Sequence, residues 1–135
     1  MNPCDVVLIV EDDESIRETM QLALELRGYS VFTAGNGQEA IEALRGIPRP
    51  CLILLDLMMP VMDGWGFVKA LEHDPQRGNI PVVVVTAFAS QSCSINARSI
   101  LSKPVPLDVL YETVGEYCTC TSSTRPGPLT AAGTA

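Results

Sequence analysis

The 135-residue sequence has few basic residues and a single histidine. Nine lysines and arginines stand against 16 acidic residues, which gives a formal net charge of −7 at pH 7. A protein that follows the phosphates of DNA or RNA normally carries a basic stripe, so this balance argues against nucleic-acid binding. The one histidine, His73, is too few for a His-rich zinc site or a paired-histidine catalytic motif.

Long apolar runs are also missing, and the cysteines follow no framework pattern. No stretch approaches the ~20 apolar residues of a membrane span. The start of the chain, MNPCDVVLIVEDD, lacks the positively charged segment of a signal peptide. The five cysteines are odd in number and include no Cys-x-x-Cys, which favours a reducing compartment over a disulfide scaffold. We therefore expect a cytoplasmic protein with no membrane segment.

Apolar residues make up 47% of the chain, and their arrangement predicts the fold class. Residues 6–10, 51–55 and 81–86 form short apolar runs without alternation, as do strands buried on both faces of a parallel sheet. Residues 30–34 and 97–102 are weaker strand candidates. Apolar residues at helical spacing occur in four further segments, residues 15–27, 38–45, 65–71 and 107–117. This alternation predicts a doubly wound α/β domain with a five-stranded parallel sheet and helices on both faces.

Three local features refine this prediction. Ser15 and Glu18 fit a capping box at the start of the first helix. Residues 88–99 are rich in serine and predict a fourth helix that is at most short or irregular. Residues 118–135 carry Arg125 as their only charge, so we expect a disordered tail or linker after a domain spanning residues 1–117. This division leaves no room for a DNA-binding output domain, unless the tail is the start of a linker to one.

Polar side chains stand at the predicted carboxyl ends of the strands, where open α/β sheets bind ligands. Glu11 and Asp12 follow the first strand, and Asp56 follows the third. Thr86 ends the fourth strand, and Lys103 follows the fifth. Carboxylates gathered this closely repel one another, and oxygen ligands without histidine or thiolate select Mg²⁺ as the counter-charge. Asp56, the lone acid after a central buried strand, is the best candidate for a nucleophile that attacks phosphorus.

Each of these residues taken alone has a plainer explanation. Acids before a helix often only cap it or interact with its dipole. Asp56 alone fits a turn, Thr86 an ordinary strand end and Lys103 a surface charge. Their coincidence at one edge of the predicted sheet favours a single site over the separate explanations.

The segments LIVEDDESIRE, LLDLMMPVMDG, VVTA and SKPV together resemble the receiver domain of two-component response regulators, in the CheY-like superfamily. The resemblance spans residues 5–117 and implies the flavodoxin-like strand order 2-1-3-4-5. It implies that Asp56 accepts a phosphoryl group and that the resulting conformational switch signals to a partner protein. The implied partners are a histidine kinase or phosphotransfer protein and a downstream effector. Direct binding to nucleic acid or membranes is not implied, and we expect a monomer or weak dimer.

The resemblance also implies a set of Mg²⁺ ligands, with Mn²⁺ as a possible substitute. Asp12 would ligate the ion directly, and Glu11 would act mostly through water. Asp56 and the backbone carbonyl of Met58 would complete the protein ligands. Because only its backbone would bind, the Met58 side chain is free to vary.

Further roles follow from the resemblance for residues around the phosphoacceptor. Thr86 matches the switch hydroxyl that moves towards the phosphoryl group. Lys103 matches the lysine paired with that group, and the Lys103–Pro104 bond would be cis, as only ~5–6% of X–Pro bonds are. Gly64 would shape the start of the third helix, while Asp63 is interpreted as a turn residue or cap rather than a ligand.

Two departures from the family pattern concern the signalling face. The family usually has an aromatic residue three positions before the lysine, where this chain has Ile100. The stretch of residues 87–102 is also several residues shorter than usual. In addition, Met58 and Phe88, each two residues after a site residue, are bulky and apolar. We expect them to restrict the hydrolytic water and prolong the phosphorylated state, unless they are merely exposed loop side chains.

Two other functions remain as alternatives. A Mg²⁺-dependent phosphatase or phosphotransferase with an aspartate nucleophile typically has a general acid two residues later, where this chain has Met58. A receiver that docks partners without phosphorylation is disfavoured because all five site positions are filled. Neither G-x-x-x-x-G-K-[ST] nor G-x-G-x-x-G occurs, which argues against nucleotide binding. We expect a protein that catalyses only its own phosphorylation and dephosphorylation, not a classical enzyme.

Overall fold

The fold is built on the parallel sheet that the apolar runs predict. The computed structural model describes residues 5–89 and 95–118. Its strands are β1 (Val6–Val10), β2 (Ser30–Ala34), β3 (Leu52–Leu55), β4 (Val82–Thr86) and β5 (Ser99–Ser102). All four neighbouring pairs run parallel, in the order β2-β1-β3-β4-β5. The predicted fold class and the implied strand order are both confirmed.

Helices cover both faces of this sheet. Those in the described residues are α1 (Glu14–Leu26), α2 (Gly37–Gly46), α3 (Gly64–Glu72) and α4 (Leu107–Tyr117). Helices α1 and α4 share one buried apolar cluster with Val7 and Ile9 of β1, and α2 and α3 share a second with Leu8 and Val10. Because successive strand residues point to opposite faces, a strand covered on both sides needs an unbroken apolar run. None of these helices is long and apolar enough to cross a membrane.

The first helix is capped by a different residue from the one predicted. The side chain of Asp13 accepts a hydrogen bond from the backbone N–H of Ile16 at 3.0 Å and is the N-cap. The predicted capping box is wrong because α1 already begins at Glu14, so Ser15 lies inside the helix. Asp12, Asp13 and Ser15 are all good capping types, and the structure places Asp13 in the capping position.

The described residues directly before β5 form no helix. Residues 95–98 are irregular, and Ser99 begins the strand. These residues agree with the expectation of at most a short helix over residues 88–99, and residues 90–94 lie outside the described ranges. Ile100, on β5, is 39% exposed, so a large apolar side chain faces solvent at the edge of the sheet.

Two cysteines form a disulfide bond, which the sequence analysis did not anticipate. Cys51 directly precedes β3 and Cys118 directly follows α4, and their Cα atoms are 5.4 Å apart. The expectation of reduced cysteines without a disulfide scaffold fails for this pair. The fold brings together two residues 67 positions apart, and spacing along the chain cannot reveal such a contact. Cys4, Cys93 and Cys120 lie outside the described residues, as does the predicted tail after Cys118.

Backbone hydrogen bonds continue past the strand ends and position the first site residues. The N–H of Asp56 donates to the carbonyl of Val10 at 2.9 Å, and the N–H of Glu11 donates to the carbonyl of Ala34 at 3.0 Å. The residues that follow β1 and β3 are therefore held in the same register as the strands themselves. Their side chains meet at the carboxyl edge of the sheet.

Candidate functional site

Three carboxylates come together at the carboxyl edge of the sheet. Glu11, Asp12 and Asp56 each offer an oxygen, and these oxygens lie within 4.8 Å of one another. Glu11 and Asp56 are buried, whereas Asp12 is exposed. The structure thus brings together the three acids that the sequence analysis placed in one site.

The ammonium group of Lys103 lies between two of these acids. Its Nζ donates to Oε1 of Glu11 at 2.6 Å and is 3.5 Å from Oδ2 of Asp56. The lysine side chain is 16% exposed, so its charge is only weakly screened by water. Burial alone lowers the pKa of Lys103, but the hydrogen bond that Lys103 donates to Glu11 and the nearby negative charges outweigh burial and raise this pKa above its ordinary value.

Glu11 is the most perturbed acid of the site. Burial raises the pKa of Glu11 to about 7, and the charge of Asp56 adds to the increase, while the hydrogen bond from Lys103 opposes it. Both oxygens of the Glu11 carboxylate are engaged, since Oε2 accepts a hydrogen bond from the backbone N–H of Asp13 at 3.1 Å. Glu11 is therefore held in place by hydrogen bonds on both sides.

Asp56 has one engaged oxygen and one that faces the lysine. Its Oδ1 accepts a hydrogen bond from the backbone N–H of Leu57 at 2.8 Å, and Oδ2 is the oxygen nearest to Lys103. The position of Asp56 is further fixed by Gly64, because a Cβ atom there would come within 2.7 Å of the Asp56 carbonyl oxygen. The chain after β3 and the start of α3 thus pack more closely than a side chain at position 64 would permit.

Thr86 ends β4 beside these groups and is fully buried. Its hydroxyl oxygen accepts a hydrogen bond from the N–H of Phe88 at 3.1 Å, and its carbonyl accepts one from the N–H of Lys103 at 2.9 Å. A hydroxyl that accepts a hydrogen bond keeps its own hydrogen as a donor. Thr86 therefore stands where the sequence analysis placed it and also holds Lys103 through the backbone.

The remaining predicted residues line the same edge or its loops. Met58 and Phe88 are 47% and 44% exposed, and the Lys103–Pro104 peptide bond is cis, as the resemblance implies. Asp63 is the N-cap of α3 and accepts a hydrogen bond from the N–H of Gly66 at 2.9 Å. Asp63 is therefore a cap, as interpreted from the sequence.

One contact of the site was missed by the sequence analysis. The guanidinium of Arg17 donates from Nη1 to the backbone carbonyl of Glu11 at 2.9 Å. Arg17 lies on α1, six residues after Glu11. No motif marks such a side chain-to-backbone contact, and only the geometry of the β1–α1 loop reveals that the arginine reaches back to the site.

The chemistry of this donor set fits a hard divalent cation. Among the residues that the structure describes, three carboxylates share the edge with the ammonium group of Lys103, which leaves an excess of negative charge. Unit charges 4 Å apart interact by about 4 kcal/mol at an effective dielectric constant of ~20, so a further cation is favoured. The donors are all oxygen atoms, the ligands that Mg²⁺ prefers.

Comparison with known proteins agrees with this geometry. The family model for the response regulator receiver domain matches residues 7–115. The polar-differentiation response regulator DivK of Brucella anthropi is 34% identical over 116 residues, which cover 82% of this chain and 94% of that protein. The probable transcriptional regulator ycf27 of Pyropia yezoensis is 37% identical over 87 residues, 64% of this chain. The match spans only about a third of that relative, 34% of its length.

Solved structures show the same fold. The signal receiver domain of a signal transduction histidine kinase from Syntrophus aciditrophicus superposes with a TM-score of 0.78 at 31% identity, covering 95% of this chain and 98% of that one. The chemotaxis response regulator CheY4 of Vibrio cholerae gives a TM-score of 0.75 at 32% identity, and the match covers 83% of this chain and 97% of that one. The similarity therefore extends over nearly the whole of both solved domains.

Proposed function

The chain belongs to the response regulator receiver domain family of two-component signalling, and we propose that it accepts a phosphoryl group on Asp56 from a histidine kinase in a Mg²⁺-dependent reaction. Receiver domains are signalling proteins rather than classical enzymes. The observation that carries the proposal is the position of Asp56, buried at the end of β3 between the Lys103 ammonium and two further carboxylates.

We assign Oδ2 of Asp56 as the attacking oxygen. Oδ1 already accepts a hydrogen bond from Leu57, whereas Oδ2 faces Lys103. In the proposed step, Oδ2 attacks the phosphorus atom of a phosphohistidine, and the O–P bond forms as the P–N bond breaks. The bonding electron pair returns to the imidazole nitrogen, which takes up a proton. The product is a mixed anhydride on Asp56.

Lys103 and Thr86 are proposed to bind the transferred phosphoryl group. The lysine ammonium needs only to exchange its contact with Glu11 for one with a phosphoryl oxygen, because it already lies 3.5 Å from Oδ2 of Asp56. The Thr86 hydroxyl, at the end of the adjacent strand, would donate to a second oxygen. Such fixed donors stabilise charge that develops during transfer.

The proposed Mg²⁺ ligands are Asp12, Asp56 and the backbone carbonyl of Met58, with Glu11 acting mostly through water. The exposure of Asp12 supports a direct role, and the engagement of both Glu11 oxygens supports an indirect one. When bound, Mg²⁺ supplies the positive charge that neutralises the carboxylates and the phosphoryl oxygens, and Mn²⁺ would serve similarly.

Met58 and Phe88 are proposed to govern the lifetime of the phosphorylated state. Both are large, apolar and nearly half exposed, at 47% and 44%. Their positions two residues after Asp56 and Thr86 would bring them beside the phosphoryl group, where they would exclude the water molecule that hydrolyses the anhydride. The position two residues after Asp56 holds no acid, which argues against a phosphatase that turns over small substrates.

Phosphorylation is proposed to shift a two-state equilibrium that a partner protein reads. A complete switch from 1:99 to 99:1 requires ~5.5 kcal/mol of differential stabilisation. Ile100 replaces the usual aromatic residue and is 39% exposed, so the usual aromatic swing is not available on this face. We propose a cytoplasmic protein, a monomer or weak dimer, whose partners are a histidine kinase or phosphotransfer protein and an effector, without direct binding to nucleic acid.

Incubation with acetyl phosphate and Mg²⁺, followed by intact mass measurement, tests the proposal. We expect wild type to gain the mass of one phosphoryl group and Asp56→Asn to gain none. Asp63→Asn is the matched control, because asparagine retains the cap of α3 and the same loop is altered. A wild-type protein that gains no mass, or an Asp56→Asn variant that gains as much as wild type, contradicts the proposal.

A further inference from the structure

The disulfide bond lies at the end of the sheet opposite to the phosphoacceptor. Cys51 stands immediately before β3, whereas Asp56 stands immediately after it. The five residue steps between them span about 16 Å at ~3.3 Å per residue. The bond joins this end of β3 to Cys118, the C-cap residue that directly follows α4. It is therefore a covalent connection between the end of α4 and a central strand.

Of the local features that stabilise a helix, α4 has an acid in its first turn, Asp108, but lacks two others. Its N-cap is Pro106, which makes no side-chain capping hydrogen bond, and no basic residue occupies its last turn. Gly115 lies inside the helix, and a Cβ atom there would meet nothing within 4 Å, so no close approach requires this glycine. An interior glycine weakens a helix by roughly 0.5–1 kcal/mol relative to alanine. The helix is therefore intrinsically weak.

Packing holds α4 on the sheet along one buried face. Leu110 and Val114 belong to the apolar cluster shared with α1, and Cys118 continues that face with no exposed surface. Near the middle of the helix, the guanidinium of Arg27 stacks over the ring of Tyr111 at 3.8 Å. The disulfide bond adds a covalent contact at the last turn, where helices fray most readily.

We propose that Cys51 and Cys118 form a reversible thiol–disulfide switch that sets how firmly the end of α4 is docked on the sheet. In the closing direction, the two protein thiols and one small-molecule disulfide give the protein disulfide and two small-molecule thiols. In the opening direction, two small-molecule thiols reduce the protein disulfide and leave as their disulfide. Glutathione in its reduced and oxidised forms is a reagent of this class.

The two sulfur atoms lie in different surroundings, and the difference determines how the bond can open. Cys51 is only partly buried, so a small thiol can approach from its side, whereas Cys118 has no exposed surface. The sulfur of Cys51 is 3.1 Å from the carbonyl oxygen of Val6, which can accept a hydrogen bond from the Cys51 thiol after reduction. Release of a thiolate at Cys118 into apolar surroundings is unfavourable, so opening of the bond is coupled to movement of the helix end towards water.

This inference goes beyond the proposed phosphorylation and does not depend on it. The phosphoacceptor site lies at the other end of β3, and its ion pairs with Lys103 involve neither cysteine. Reduction should therefore loosen the end of α4 without changing the amount of phosphoryl group that Asp56 accepts. The redox state would act on the surface around the end of α4, while phosphorylation acts at the other end of the sheet.

The test uses the full chain with Cys4, Cys93 and Cys120 replaced by serine, so that Cys51 and Cys118 are its only cysteines. The protein is equilibrated with reduced or oxidised glutathione, its free thiols are alkylated, and its intact mass is measured by mass spectrometry. We expect two alkylated thiols in the reduced sample and none in the oxidised sample. Two free thiols, or glutathione adducts without a protein disulfide, in the oxidised sample would overturn the proposal.

Hydrogen exchange of the same two samples measures the docking of α4. We expect amides in the last turns of α4 to exchange roughly 10-fold faster or more after reduction, while those of β1 and β3 change little. Gly115→Ala should slow this exchange in the reduced sample, because it strengthens the helix without touching the sulfur atoms. Equal exchange in both redox states, a uniform increase over the whole domain, or no effect of Gly115→Ala on the reduced sample would overturn the proposal.

Phosphorylation by acetyl phosphate, measured on both redox samples, separates this inference from the proposed function. Equal phosphoryl uptake is expected, and a loss of uptake on reduction would overturn the independence of the two sites. If neither sample is phosphorylated while the thiol count and helix exchange behave as expected, the proposed function fails and the switch stands.

Discussion

The ammonium of Lys103 is closer to Glu11 than to the proposed phosphoacceptor Asp56. Its Nζ is 2.6 Å from Oε1 of Glu11 and 3.5 Å from Oδ2 of Asp56. Because Glu11 is 1% exposed, this ion pair compensates a carboxylate that water cannot solvate. The lysine thus has a structural partner before phosphorylation and a second partner within reach afterwards.

Removing the lysine charge should destabilise the domain in a pH-dependent way. Lys103→Met leaves the buried Glu11 carboxylate without its partner, and we expect a loss of about 3 kcal/mol in the free energy of unfolding at pH 8. The loss should be smaller at pH 5, because Glu11, with a pKa of about 7, is then protonated. Urea unfolding with a metal chelator measures both values. Lys69→Met, at an exposed position on α3, is the control, and equal losses at the two pH values would count against this account.

The raised pKa of Glu11 should itself appear in the stability of the domain. The pKa rises from about 4.5 to about 7 because the carboxyl is buried, so the folded state holds its proton more tightly than the unfolded chain does. The stabilisation from this group is complete below pH 4.5 and is lost as the pH rises through 7. Relative to Glu11→Gln, wild type should therefore become less stable between pH 4.5 and 7. Urea unfolding with a chelator gives the difference, and a constant difference over this range would contradict the assignment.

Gly64 should not tolerate a side chain. A Cβ atom at this position would lie 2.7 Å from the carbonyl oxygen of Asp56 and 2.8 Å from the Cα of Leu57, and both are backbone atoms that cannot rotate away. We expect Gly64→Ala to cost about 1–3 kcal/mol in stability and to slow phosphorylation by acetyl phosphate, since Asp56 itself is displaced. Gly46→Ala is the control, because its Cβ would meet nothing within 4 Å. Stability and phosphorylation equal to wild type would show that the loop is less closely packed than described.

The lifetime of the phosphorylated state should depend on Met58 and Phe88. A smaller or polar side chain admits water to the anhydride, so Met58→Asn and Phe88→Ala should each shorten the half-life by several-fold. The decay of the phosphorylated mass after removal of acetyl phosphate measures this lifetime. Leu107→Ala, at another exposed apolar position that lies on α4, should leave it unchanged. A longer half-life after Met58→Asn would refute the role assigned to these side chains.

The sheet and its acidic edge could be predicted because both depend on local patterns. An apolar run without alternation requires cover on both faces, and β1, β3 and β4 are buried at every position. Once parallel strands are established, the residues after them must meet at one edge. Glu11, Asp12 and Asp56 could therefore be placed together without any knowledge of their distances.

Contacts between distant segments could not be predicted in the same way. The Cys51–Cys118 bond joins the start of β3 to the end of α4, and neither cysteine lies in a spacing motif. The choice of Asp13 over Ser15 as the cap of α1 depends on loop geometry, since both residue types are good caps. Lys103 lies 0.9 Å closer to Glu11 than to Asp56, a difference that only side-chain packing decides.

The most direct test of the account is chemical identification of the phosphorylated residue. Protein treated with acetyl phosphate and Mg²⁺ is reduced with borohydride, which converts an aspartyl phosphate to homoserine, and its peptides are then sequenced by mass spectrometry. We expect homoserine at position 56 and unmodified aspartate at positions 12 and 63. Homoserine at position 12 instead, or unmodified aspartate at position 56 in protein that has gained the phosphoryl mass, would contradict it.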